Sequence, residues 1–227
     1  MSKLNPYIVL DFETGGLDGS KNPITEIGML CIDGKDLMEI GRFDSYIKPY
    51  IGYEYDKKAL EFTGTTFEKL DREGRDLKEV MVEVANLMKE WHTKTSNTHT
   101  KKPILIGHNI QFDISFLQQC FKEAKLDISK YLDGKMDFHG KYYPHFIDTM
   151  TLSKLTFGGD DNFASFKLGN CIQGAGQTLV DAHKAINDII ATKELLIYFV
   201  NKLRSDSVNV GEGSGKIRFR EKFQLQI

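Results

Sequence analysis

Residues Tyr7 to Leu17 read YIVLDFETGGL, and this stretch constrains the fold more than any other. Side chains of a β-strand alternate between faces, so Asp11 and Glu13 leave on one side while Ile8, Leu10 and Phe12 leave on the other. With Tyr7 and Val9, the first half of the stretch is apolar on both faces, which is the pattern of a central strand covered from above and below. Two carboxylates then emerge side by side at its end. Like charges held this close raise each other's pKa and cost free energy unless protons or a divalent cation neutralise them. The strand end is therefore the expected place for a metal.

The segments that follow supply strand neighbours. ITEIGMLCI (Ile24 to Ile32) and the run from Ile40 to Ile47 continue as strands, and the DGKD between them gives a hairpin signal at Asp33 and Gly34. Both are expected to lie antiparallel beside the first. Glu26, alone within its strand, reads as a structural or supporting group rather than as a ligand. Tyr53 to Leu70 reads as a short helix, a break at Gly64 to Thr66 and the start of a second segment. Asp76, with Glu79 three residues on, is placed to cap a helix whose Leu77, Val80, Met81, Val84, Leu87, Met88 and Trp91 form one core-facing stripe. Thr93 to Lys102, which includes His99, has no apolar residue and reads as an exposed connection.

A third carboxylate appears after the short buried strand Ile104 to Ile106, where Asn109 is available to cap the next helix. Asp113 is followed at i+3, i+4 and i+7 by Phe116, Leu117 and Cys120, which puts it on the sheet-facing stripe of that helix. An unpaired charge there is costly, and no basic residue lies within a turn on that face. A cation shared with Asp11 and Glu13 accounts for it better than a buried ion pair does.

Further along, Asp148 in FIDTMTLSKL reads as a helix cap first and a catalytic group second. Phe163 to Ile172 looks like a small amphipathic helix ended by Gly174 to Gly176. The last long helix is expected to begin near Ala182 or His183, with Asp188 in its first turns. At about 100° per residue, His183 and Asp188 stand roughly 140° apart on a helix, so they share a site only if His183 precedes it. The alternative is a capping or exposed histidine.

Composition excludes little but narrows the setting. A formal net charge of -2 argues against non-specific wrapping of nucleic acid and leaves a local basic groove open. Cys31, Cys120 and Cys171 sit in apolar segments without CxxC spacing and are expected as buried free thiols. No apolar run approaches the roughly 20 residues that span a bilayer, and MSKLNPY lacks the form of a signal peptide, so a soluble, intracellular, cytoplasmic protein without membrane contact is expected. Residues 1–205 are read as one domain and 206–227 as a Gly-rich linker and tail. In that tail Lys216, Arg218, Arg220 and Lys222 alternate with Ile217, Phe219, Phe223 and Leu225, interrupted by Glu221. Such a tail strand either adds to a sheet edge and offers its basic face to nucleic acid, or is an edge whose charges discourage aggregation.

Taken in order, DFET, GHNIQFDISFL and HKAIND resemble the three motifs of the DEDDh family, the ribonuclease H-like 3'-to-5' exonucleases that include proofreading subunits. The likeness runs from about Pro6 to Leu203, and FTGTTFEKL matches the family's HGIT segment only loosely, with Thr63 where a histidine is common. It implies an α/β fold with a mixed central sheet of about five strands flanked by helices. It also implies that Asp11, Glu13, Asp113 and Asp188 hold two Mg2+ or Mn2+ ions about 3.5 to 4 Å apart around a scissile phosphate. His183 would be the general base and the product a nucleoside 5'-monophosphate. Thr14 and the wedge Leu17 would face the 3'-terminal nucleotide, with contacts from Asn109 and Phe112, although Leu17 reads equally as a packing residue. The expected partners are single-stranded DNA 3' ends and a polymerase or other replication or repair protein. The alternatives are an RNA-trimming exoribonuclease of the same family and a non-catalytic module that binds nucleic acid or polymerase.

Overall fold

A computed structural model of the protein describes residues 5–95, 102–161, 163–178 and 183–205. The basic tail, the 206–227 boundary and His99 lie outside the described residues. The chain opens with β1 (Tyr7–Thr14), β2 (Ile24–Ile32) and β3 (Glu39–Tyr46). Three helices follow, α1 (Lys57–Thr63), α2 (Phe67–Glu73) and α3 (Leu77–Thr95), then β4 (Ile104–Gly107) and α4 (Gln111–Glu123). A hairpin of β5 (Gly134–Met136) and β6 (Tyr142–Pro144) leads into β7 (Phe146–Asp148), α5 (Thr149–Phe157), α6 (Leu168–Gly174) and α7 (Ala185–Ser205).

Among the described residues, the central sheet has five strands in the order β3-β2-β1-β4-β7. β1 takes the middle position, parallel to β4 and antiparallel to β2. With β7 parallel to β4 in turn, the carboxyl ends of β1, β4 and β7 share one edge. This is an α/β fold of the ribonuclease H-like type, as the motifs imply. The two faces of β1 explain the layers. Ile8, Leu10 and Phe12 pack with Val80, Met81, Val84 and Met88 of α3 and Phe116 and Leu117 of α4. Val9 packs with Leu30, Ile32 and Ile106 against Ile189 and Leu196 of α7. Each such side chain withdrawn from water contributes about 1.5 to 3 kcal/mol. The face that carries Val9 continues by alternation into Asp11 and Glu13, so α7 covers the acidic end of the strand.

Local signals place most of the helices. Asp56 caps α1, Gly64 ends it in the left-handed conformation at φ 64°, and Thr66 caps α2. Asp76 Oδ1 accepts from the backbone N–H groups of Lys78 and Glu79 at the start of α3. Asp148 caps α5 through the Met150 N–H at 2.9 Å. The three cysteines are free and buried.

Several expectations need correction. Asn109 does not cap α4 with its side chain. Its backbone is left-handed at φ 64°, its N–H donates to Asp148 Oδ1 at 2.9 Å, and the helix opens at Ile110 without a side-chain cap. α3 runs on to Thr95, since a buried stripe carries the polar last turn with it. The small helix starts at Leu168 and not at Phe163. Phe163 is spent stacking on Phe157 at 4.9 Å, with Phe166 5.3 Å from it, which holds that segment outside a helix. The last helix begins at Ala185, leaving His183 in the connection before it.

Candidate active site

The acidic end of β1 is shaped by its neighbours. Asp11 pairs across from Gly28 and Glu13 from Glu26, and the register slips between Glu13 and Thr14 as the strand leaves the sheet. There the chain turns: Thr14 Oγ1 donates to the Gly16 carbonyl at 2.7 Å, and Gly15 bonds Pro23 and Asp56 through its N–H and C=O. A Cβ on Gly16 would sit 2.2 Å from Asn22 Cγ, so the turn closes only around a glycine. Leu17 projects from it, 84% exposed.

α4 brings in Asp113 from the opposite face of the sheet. Its first turn sits against β1, and Asp113 Oδ1 accepts from the Phe12 N–H at 3.0 Å. That bond fixes the carboxylate between the strand positions of Asp11 and Glu13. From the other side, α7 supplies Asp188 in its first turn. Asp188 accepts from the backbone N–H of His183. His183 is exposed, adopts φ 69° and rests its ring 4.3 Å from that of Phe62 in α1. Ligand atoms of Glu13, His183 and Asp188 all lie within 4.8 Å of one another.

The electrostatics follow from this crowding. Burial, then the charges of Asp113, Asp188, Glu13 and Glu26, hold the Asp11 carboxyl well above its usual range. Burial, followed by Asp188, Glu26 and Asp113, pushes Glu13 up to about 8. Asp113 is raised by burial and partly held back by the Phe12 N–H and its own. Burial raises Asp188, with His183 opposing. Asp188 Oδ1 is buried and has no hydrogen-bond partner among the described residues. Carboxylates that repel one another, and one orphaned oxygen among them, form a hard-oxygen donor set suited to Mg2+ or Mn2+.

The remaining residues divide. Phe112 is half-buried, with its ring 4.9 Å from Phe116, so much of it serves packing. Asn109 is exposed at the mouth of β4. His108 turns away: its Nε2 meets the Phe166 carbonyl at 2.7 Å and its Nδ1 meets Thr149 Oγ1 at 3.0 Å, tying β4 to α5 and the segment before α6. Two residues at the site escape a reading of the three motifs. Phe62 belongs to the loosely matched FTGTT segment, and its ring contact with His183 spans sequence that no local pattern bridges. Glu26 is 4% exposed and raised to about 7 by burial, and only strand register reveals that it faces Glu13.

Known proteins resemble this chain over most of its length. Residues 8–196 match the family model RNase_T, described as an exonuclease. The chain is 28% identical over 198 residues to a PolC-type DNA polymerase III of Thermotoga maritima, covering 87% of this chain and 12% of that protein. It is 27% identical over 205 residues to ribonuclease T of Vibrio campbellii, covering 87% of this chain and 86% of that one. It thus spans a small part of the polymerases and most of the ribonuclease. In fold it is similar to E. coli exonuclease I in complex with a dT13 oligonucleotide, with a TM-score of 0.69, 18% identity, and coverage of 90% of this chain and 42% of that one. With the family model spanning most of its length, the chain belongs to the RNase T-type exonucleases of the DEDDh family.

Proposed function

We propose that the protein is a divalent-cation-dependent 3'-to-5' exonuclease that hydrolyses the terminal phosphodiester bond of DNA, preferably single-stranded, and releases nucleoside 5'-monophosphates. The observation that carries this reading is the gathering of Asp11, Glu13, Asp113 and Asp188 at one sheet edge, each driven toward protonation by burial, and Asp11 and Glu13 also by the neighbouring carboxylates. These four would hold Mg2+ or Mn2+. When bound, the ions would offset the charge that develops on the phosphate and make water a better nucleophile. His183 stands beside them, exposed and outside the helix, where an imidazole nitrogen can take the proton from the attacking water. The exposed Leu17, carried by a turn rigid from Thr14 to Gly16, would wedge against the last base, and unpaired ends suit it because no duplex must first be opened. Asn109 and Phe112 would flank the same nucleotide from the start of α4.

RNA is the second reading, favoured by the likeness to ribonuclease T over nearly its whole length. A polymerase or another replication or repair protein is the partner class suggested by the PolC-type relatives. No described helix is long and apolar enough to cross a membrane. The test is incubation with 5'-labelled DNA and RNA oligomers of equal sequence, with Mg2+, Mn2+ or EDTA. Stepwise shortening from the 3' end that stops in EDTA and is lost in Asp11→Ala is expected. Full-length oligomers in both metals, or an undiminished rate in Asp11→Ala, would overturn the assignment.

A further inference from the structure

The carboxylate least explained by hydrolysis is Glu26. It lies in the middle of the site's wall, buried on β2 directly opposite Glu13, with Lys69 of α2, Asp44 of β3 and Lys184 around it. A buried carboxylate is retained at a cost unless it has a partner that needs it. Its partner is specific: the side chain accepts a hydrogen bond from the backbone N–H of Ala185, the first residue of α7. That N–H is one of the helix-terminal donors that no intrahelical carbonyl can satisfy.

Two residues along the same strand, Gly28 meets the same helix end. A Cβ there would lie 2.7 Å from the Ala185 carbonyl carbon and oxygen and 3.0 Å from its Cβ, while Ala185 itself is fully buried. β2 therefore offers α7 one acceptor and one gap, both addressed to Ala185. Ala185 lies in the short stretch between His183 and Asp188, the two site groups that arrive late in the chain.

We propose that Glu26 and Gly28 form a seat on β2 that fixes the first turn of α7, making Glu26 a positioning residue for Asp188 and His183. The seat acts through geometry: Glu26 holds the helix start down, Gly28 lets it approach, and Asp188 is thereby delivered to Asp11 and Glu13 on the same face of the sheet. The proposal rests on the exonuclease reading only for its consequence in catalysis, because the seating of α7 can be observed in its own right.

The test uses the full chain with Glu26→Gln, Glu26→Ala and Gly28→Ala. A glutamine keeps an oxygen to accept the Ala185 N–H, and alanine does not. Amide exchange of Ala185 to Ile189 is expected to speed up about tenfold in Glu26→Ala and to stay near wild type in Glu26→Gln. With oligonucleotide substrate, Glu26→Ala is expected to lose about 10- to 100-fold in kcat with little change in KM, the range seen when a partner of a metal ligand is removed. Glu26→Gln is expected to recover most of that loss, and Gly28→Ala to behave like Glu26→Ala. Unchanged exchange in Glu26→Ala overturns the seat, and so does a Glu26→Gln as impaired as Glu26→Ala, which would make the charge itself the requirement. If wild type cleaves nothing, the exonuclease reading fails and the exchange measurement still decides the seat. If Gly28→Ala does not fold, the two Glu26 variants carry the decision.

Discussion

Replacing Glu13 by glutamine is expected to stabilise the cation-free protein at alkaline pH, the reverse of what removing a buried polar group does in general. In the unfolded chain this carboxyl titrates at 4.5, and in the fold it is raised to about 8. The folded state thus binds the extra proton between those values, so stability falls as pH rises. The loss starts above about pH 4.5, where the unfolded chain ionises, and is complete above about pH 8. Each pH unit in that window removes about 1.4 kcal/mol, so Glu13 alone costs about 3 kcal/mol by pH 7. With 8% of its surface exposed, solvent screening relieves little of this. For a chain of this length that corresponds to roughly 6 to 12 °C in thermal midpoint. The assay is thermal unfolding of wild type and Glu13→Gln at pH 5 and pH 8, in EDTA and in millimolar Mn2+. In EDTA the variant should match wild type at pH 5 and melt higher at pH 8. Mn2+ should raise the wild-type midpoint most at pH 8 and the variant's much less. Equal pH slopes for the two proteins in EDTA, or a variant that melts lower at pH 8, would refute the reasoning.

Other changes separate chemistry from substrate contact. His183→Ala is expected to lose about 10² to 10⁴ in kcat while keeping the stabilisation by Mn2+, since the four carboxylates remain; loss of that thermal shift would make the imidazole a ligand. Leu17→Ala should leave the stability within about 0.5 kcal/mol of wild type, because the side chain is 84% exposed, and should raise KM for single-stranded ends. A drop in stability with unchanged KM would instead make Leu17 a packing residue. Gly16→Ala drives a Cβ into Asn22, whose side chain bonds the Glu54 carbonyl and the Asp18 N–H. A loss of about 1 to 3 kcal/mol in stability, measured by denaturant titration, is expected from this overpacking.

Much of the architecture was legible because single segments carry it. β1 announces a central position by being apolar on both faces, and the α3 stripe from Leu77 to Trp91 is buried as its spacing requires, with Leu87 half-buried at its margin. The motifs place Asp11, Glu13, Asp113 and Asp188 on three separate elements, and alternation along β1 states which face the first two occupy. What local pattern could not supply is pairing at a distance. Asn109 has the chemistry of a helix cap, yet its N–H is taken by an aspartate 39 residues away, and the backbone turns left-handed to reach it. Phe163 and Phe166 fit a helical stripe until Phe157 stacks on the first of them. Glu26 looked isolated because its neighbours, Glu13 and Ala185, become neighbours only through strand register and the docking of α7.

The division of the acidic cluster among β1, α4 and α7 also has a consequence for the protein's birth. Strand β1 and its hairpin partners leave the ribosome early, carrying two of the four carboxylates, and Asp188 follows some 175 residues after Glu13. Domains tend to fold as units while synthesis proceeds. Until the last long helix has docked, the growing chain holds three of the four carboxylates and lacks both Asp188 and the histidine beside it. Under the proposed function, cleavage of any nucleic acid near the nascent chain would await the last long helix, because the order of the sequence delivers Asp188 and His183 last.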